Sequence, residues 1–255
     1  MSGTTWLIAV AAIVALMGIV AMRRAAGRRR ELDEAPAALG MQPLNALDPA
    51  LEAAIIALHR PPVASNIRQQ AWSLTHIARY PEPGADFYSV TIHLEQTREV
   101  LEHGRRMRDE SSDTRLVAIV APKILQAPRM QLLPRAVAAP AAGALAALVA
   151  DAANAVTDLA AESGGDRVEF ADDPEFDRRY LVLSPQTTPA RAVLVPARRQ
   201  ALASLDGVQV SLEGSLMLVS SPTDAIRRRG RSLPESLKAE LETARRVLAI
   251  FDATR

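Results

Sequence analysis

Residues 4–22 of this chain, TTWLIAVAAIVALMGIVAM, run for 19 positions without a single charge. As an α-helix, a run of that length spans roughly 28 Å, which matches a bilayer hydrocarbon core of about 27–30 Å. Trp6 stands at one end, where an indole favours the membrane interface. Arg23 and Arg24 follow at once at the other end, where they stop the span and snorkel toward headgroups. A cleaved signal peptide would instead carry its positive charge before a shorter apolar run, with a small-residue cleavage site after it. The expected organisation is a single-pass protein of the plasma (inner) membrane. Residues 1–3 lie outside, 4–22 span the bilayer, 23–47 form a basic juxtamembrane segment and linker, and 48–255 form a cytoplasmic soluble domain.

The orientation rests on charge. Arg23, Arg24, Arg28, Arg29 and Arg30 lie within the first 30 residues with no acidic residue among them. Positive charge flanking a span stays in the cytoplasm and is also attracted to anionic lipid. The remaining 225 residues hold 25 basic and 29 acidic groups, so the body of the chain is mildly acidic. That balance argues against a nucleic-acid-binding domain, which would carry a basic face. The chain has no cysteine, which excludes disulfides and thiolate metal sites and fits a reducing compartment. Only Lys123 and Lys238 are lysines, and together with the abundant alanine this is a compositional bias of the kind a GC-rich bacterial source produces. Ala11, Ala15 and Gly18 give the span one small-residue stripe, compatible with close helix pairing.

Beyond the span, Pro36, Gly40 and Pro43 mark residues 31–47 as a linker. Asp48-Pro49 supplies an N-cap and a first-turn proline for a helix over about 49–59, which Pro61-Pro62 ends. Residues 66–79 and 87–95 alternate imperfectly around YPEPGAD and predict a hairpin with a long loop. The charged stretch 97–113 predicts a short helix running into a DESSD loop, and TRLVAIVAP (114–122) a buried strand. The apolar stretch 140–163 raises a second span. Asp151, Asn154 and Asp158 fall inside it and cluster on one side, so an amphipathic surface helix fits better. A subdivision of the domain near 136–165 follows from that segment. Strands are expected at 167–170 and 179–184, then a helical stretch over 188–204 interrupted at Pro196. A hairpin over 207–220 turns at Glu213-Gly214, and a final amphipathic helix covers about 234–253. Strands joined by hairpins, with helices between them, make an α+β fold with a mainly antiparallel sheet.

Three clusters invite a functional reading. Asp166, Glu169, Asp172, Asp173, Glu175 and Asp177 concentrate oxygen ligands of the kind a divalent cation takes, but without EF-hand spacing. Asp172-Asp173-Pro174-Glu175 is better explained as a helix start. Arg227, Arg228, Arg229 and Arg231 could meet phosphate or a lipid surface. No aromatic lies nearby to stack on a base, so nucleic acid is not expected. His59, His76, His93 and His103 show no metal-ligand spacing, and no nucleophile elbow or nucleotide-binding glycine motif is present.

The segment DRVEFADDPEFDRRYLVLSPQTTPARAVLVPARRQALASL (166–205) resembles a pattern in uncharacterised bacterial single-pass membrane-anchored proteins: a strand, a P-E-F-x-x-x-Y turn, a strand, then an Arg-led helix. Pro174, Glu175, Phe176 and Tyr180 carry the match. Residues 127–135 correspond to a preceding P-R-F-x-L-R-P stretch, with Met130 in place of the aromatic. The resemblance implies an architecture in which Phe176 and Tyr180 anchor the core, and it implies no activity. The expectation is a membrane-tethered, non-catalytic protein-interaction or scaffold module, with the lipid bilayer and a protein of a membrane assembly as partners and no cofactor. The alternative is a membrane-localised enzyme with a site assembled from dispersed residues.

Overall fold

The computed structural model describes residues 34–59, 67–101, 105–136, 165–205, 207–220 and 232–252. The candidate span 4–22 with Trp6, the arginines at 23, 24, 28, 29 and 30, the stretch 140–163, His103 and the Arg227–Arg231 cluster lie outside these residues. Among the described residues, no helix is long and apolar enough to cross a membrane.

Nine strands form one sheet: β1 (Gln42–Leu44), β2 (Ile67–Glu82), β3 (Ala85–Leu101), β4 (Arg105–Val120), β5 (Ala127–Pro134), β6 (Asp166–Arg167), β7 (Tyr180–Ser184), β8 (Gln209–Gly214) and β9 (Leu216–Ser220). Their order is β1-β2-β3-β4-β9-β8-β5-β7-β6, and every adjacent pair is antiparallel. Five labelled helices accompany it: α1 (Pro49–His59), α2 (Pro174–Arg179), α3 (Thr187–Val193), α4 (Pro196–Ala203) and α5 (Leu233–Phe251). The α+β class with a mainly antiparallel sheet is thus as expected.

The two faces of the sheet are covered by different helices. Along β4 and β9 the side chains alternate: Val117, Ile119, Met217 and Val219 join one core, Leu116, Ala118, Leu216 and Leu218 the other. α5 closes the first. Its Leu237, Leu241, Ala244, Val247, Leu248 and Phe251 recur at helical spacing and are all buried. Each large apolar side chain there contributes about 1.5–3 kcal/mol. At its start the Glu235 carboxylate accepts the Ser232 N–H at 3.0 Å, which satisfies an otherwise orphaned backbone donor. α1 closes the second core through Ile55 and Leu58. The Asp48 carboxylate accepts the Ala50 and Leu51 N–H groups at 2.9 and 3.2 Å, the cap expected from Asp48-Pro49. At its other end, Arg129 and Gln131 of β5 donate to the Ala57 and Leu58 carbonyls.

Three expectations are corrected. Residues 97–113 are not helix and loop: β3 continues to Leu101, and β4 starts at Arg105 and runs without a break. The polar side chains there pair across strands. Thr97 donates to Asp109 at 2.7 Å, Gln96 donates to Glu110 at 3.2 Å, and Arg98 lies 3.3 Å from Glu110. Such pairs stabilise a ladder that has no apolar periodicity to announce it. The β2–β3 loop is a two-residue turn at Pro83-Gly84, not a long loop. Gly84 (φ +88°) occupies the left-handed region that a tight turn requires. The stretch assigned to a linker also contributes structure, with a helical turn at 34–38 and β1 beside Ile77–Arg79. Ala35 and Met41 are buried there, which gives it apolar reason to stay.

Candidate functional site

β2, β3 and β4 are 16, 17 and 16 residues long, far more than the sheet beside them uses. β1 pairs only with Ile77–Arg79, and β9 only with Val117–Val120. Beyond those points the three strands continue as a ribbon about 30 Å long, at roughly 3.3 Å per residue. Both of its edges lack a partner strand among the described residues. A register shift between Thr75 and Ala78 marks the root, with His76 in the left-handed region (φ +49°), an irregularity of the kind that locally bends and twists a strand.

Opposite residues in a ladder share a face. Gln69, Ala71 and Ser73 of β2 therefore stand with Thr97, Glu95 and His93 of β3 and with Asp109, Ser111 and Asp113 of β4. This face is polar and mostly exposed. At its middle, His93 Nδ1 lies 2.6 Å from Asp113 and Nε2 3.3 Å from Glu95. The hydrogen bond to Asp113, then that to Glu95, holds the imidazole pKa above its ordinary value. Nearer the tip, Arg68 pairs with Glu99. The opposite face carries Gln70, Trp72 and Leu74, and near the root Trp72, Leu74 and Ile92 pack with Leu51, Ile55 and Leu58 of α1. The His59 ring meets Trp72 edge-on at 6.1 Å.

Burial pushes the His59 imidazole down to about 4. A depressed histidine pKa favours the neutral ring in the fold, so stability is complete above the unfolded value of about 6.5 and falls as pH drops from there toward 4. Allowing for partial exposure, acidification from pH 7 to 4 is expected to remove about 2 kcal/mol through this group. A His59→Gln chain should show a correspondingly flatter loss of stability when urea unfolding is measured across that pH range.

The acidic run does not converge on a metal. Asp172 and Asp173 accept from Arg199 at 2.6 and 2.9 Å, Glu175 pairs with Arg178 and Arg179, and Asp177 accepts the Phe170 N–H at 2.9 Å. Glu169 lies 3.5 Å from Arg167. Among the described residues no group of three His, Asp or Glu side chains could hold a metal ion. Asp173 caps α2 by accepting the Phe176 N–H at 3.2 Å, with Pro174 in the first turn, as the local pattern indicates.

Arg199, which sequence reasoning missed, is the hub of this turn. It is only 4% exposed, stacks 4.7 Å above the Phe170 ring and donates to the Leu194 carbonyl at 3.1 Å. Burial alone would lower its pKa, but the hydrogen bonds to Asp173 and Asp172 more than offset that and the net shift is upward. The bond from Arg199 in turn holds the Asp172 carboxyl below the usual carboxylate range. Phe176 and Tyr180 are buried and stack at 5.4 Å, and the Tyr180 hydroxyl donates to the Leu205 carbonyl at 3.1 Å. The P-E-F-x-x-x-Y segment is thus an anchor for the α2–α4 layer. The ribbon is the part of the described chain whose form exceeds what packing needs. Comparison of the chain with protein families, curated proteins and solved structures finds no match.

Proposed function

We propose that the chain is a membrane-tethered, non-catalytic interaction module, and that the three-stranded ribbon is the surface through which it joins a membrane-bound protein assembly. The ribbon carries this reading. One face of the ladder is polar and mostly exposed, and neither edge has a partner strand among the described residues, so its contribution lies in what it can contact. Residues 4–22 supply the tether and the arginines at 23, 24, 28, 29 and 30 the lipid contact and orientation, with Trp6 at the far interface. A photo-reactive residue at Ser111, on the ribbon, is expected to cross-link to protein in native membranes, whereas one at Glu242 on the exposed side of α5 is not. Equal yields at the two positions, or none at Ser111, would remove the ribbon from the argument.

The tether has its own measurement, and the absence of cysteine makes it clean. With single cysteines at Ser2 or Ser112, a membrane-impermeant thiol reagent is expected to label the Ser2→Cys chain in intact cells. The Ser112→Cys chain should be labelled only after permeabilisation. The reverse pattern would overturn the orientation.

One observation bears on the enzyme alternative: open polar space of about 730 Å³ surrounds the ribbon at Gln69, Gln70, Glu95, Gln96, Asp109 and Glu110, residues that stand on both faces of the ladder. Space shared between two faces of a sheet does not enclose a ligand as a binding pocket does. Asp109 and Glu110 are already held by Thr97, Gln96 and Arg98, which makes them parts of the ladder before anything else.

A further inference from the structure

Strand β7 is buried on both of its faces, and the described residues account for the cover on one of them. Tyr180 and Val182 join the main core, to which α2, α3 and α4 contribute Phe176, Ala190 and Leu202. Leu181 and Leu183 alternate to the other face, and each is only 3% exposed. Their apolar neighbour there is the half-buried Leu133 of β5, opposite Leu181 in the ladder. Among the described residues no helix adds an apolar side chain to this cluster. Gln131, opposite Leu183, donates to α1, so α1 lies on the same face. Its apolar side chains nevertheless belong to a separate cluster with β4 and β9. Two leucines already out of water in the single chain need no second molecule, so what covers them belongs to this chain.

The topology indicates which part. β5 and β6 each pair antiparallel with β7, one on either side, and therefore run parallel to each other. The connection between them, from Ala136 to Gly165, is a crossover that returns past β7 over one face of the sheet, and such connections usually carry a helix. With the main-core face over β7 occupied, the Leu181 and Leu183 face is left for it. The amino-acid order of 140–163 suits that place. As a helix, Leu145, Leu148, Val149, Val156 and Leu159 fall on one stripe about 100° wide, and Asp151, Asn154, Asp158 and Glu162 fall away from it. The other long stretches outside the described residues attach elsewhere. Residues 60–66 lead into β2 and 221–231 follow β9, six and three strands from β7, while 1–33 lead toward β1 at the far edge.

From this placement we infer that residues 140–163 pack their leucine and valine stripe on Leu133, Leu181 and Leu183, as a layer of the same domain. The apolar stretch is then neither a second membrane span nor a boundary between two domains. Both of its ends are fixed beside β7, so the strands before it and those after it lie on one side of any membrane that residues 4–22 cross. The inference does not depend on how the ribbon is used.

The test uses the full-length chain in native membranes. A photo-reactive residue at Val149 or Val156 is expected to link within the chain to the peptides that carry Leu133 or Leu181 and Leu183, located by mass spectrometry in the monomer band. One at Asn154, on the polar side, should form no such link. Lipid adducts from the stripe, links to a second polypeptide, or links to another part of the chain overturn the proposal. A second measurement uses the absence of cysteine. Leu183→Ala opens a void beneath the stripe, so thiol labelling of Val149→Cys or Val156→Cys should speed up about tenfold. A control cysteine at Ser236, buried on α5, should stay protected. A rate at the stripe that is unchanged, or that rises no more than the rate at Ser236→Cys, also overturns it.

Discussion

Replacing Arg199 by alanine is expected to lower the unfolding free energy by about 3 kcal/mol, read from urea unfolding of the detergent-solubilised chain by circular dichroism. Three contributions add in the same direction. The buried Leu194 carbonyl loses its donor, the Phe170 ring loses the cation above it, and the space the guanidinium filled becomes a void between α4 and the turn before α2. Asp172 is largely exposed and can rehydrate, which keeps the effect below that of a fully buried pair. Arg199→Lys should recover only part of the loss, because an ammonium cannot reach two carboxylates and a carbonyl in one planar fork. The pH dependence has a defined sign. Arg199 depresses the Asp172 pKa, so the stabilisation is complete above the unfolded aspartate value of about 3.9 and is lost as pH falls through the lower folded value. A loss well under 1 kcal/mol for Arg199→Ala would mean that the aromatic stack alone holds the turn.

Glu240→Ala is expected to cost about 3 kcal/mol and to act on the ribbon. Arg115 sits at the ribbon's root on β4 and donates to Glu240 of α5 at 3.2 and 2.9 Å, with the two side chains 10% and 7% exposed. Removing the carboxylate leaves a desolvated guanidinium between helix and sheet, which costs far more than the pair's net worth. Replacing both partners by leucine should be close to neutral for the same reason. Hydrogen exchange separates the outcomes: Glu240→Ala should raise exchange in β3 and β4 above the root, whereas the double leucine chain should not. Uniformly faster exchange would show that the pair only stabilises the body.

The contrast between these two arginines and the capped helices explains how much of the architecture was legible in the amino-acid order. Asp48-Pro49, Ser232 with Glu235, and Asp173-Pro174 each announce a helix start through partners two or three residues away. The Glu213-Gly214 hairpin announces itself through a glycine at φ +57°. The division of 188–204 at Pro196 follows from a residue that cannot continue a helix from the preceding turn. The ribbon did leave a signal: Gly104 is the single glycine, with no proline, between Ala85 and Ala121, midway between two runs of strand length. It was obscured because charged residues on an exposed ladder show no apolar alternation, and because Arg98 and Glu110 look like helix-surface residues until they are placed opposite each other.

Sequence alone therefore determined the local elements of this protein: the uncharged run at 4–22, the helix starts, the tight hairpin and the aromatic turn with Phe176 and Tyr180. These depend on hydrogen bonds and periodicities that close within a few residues. Tertiary structure alone decided the strand order and the length of the ribbon. It also decided that Arg199 and Arg115 lie buried against acids 26 and 125 residues away. Such contacts form only when chain entropy is overcome by a whole core assembling at once, and no short window of residues carries that information.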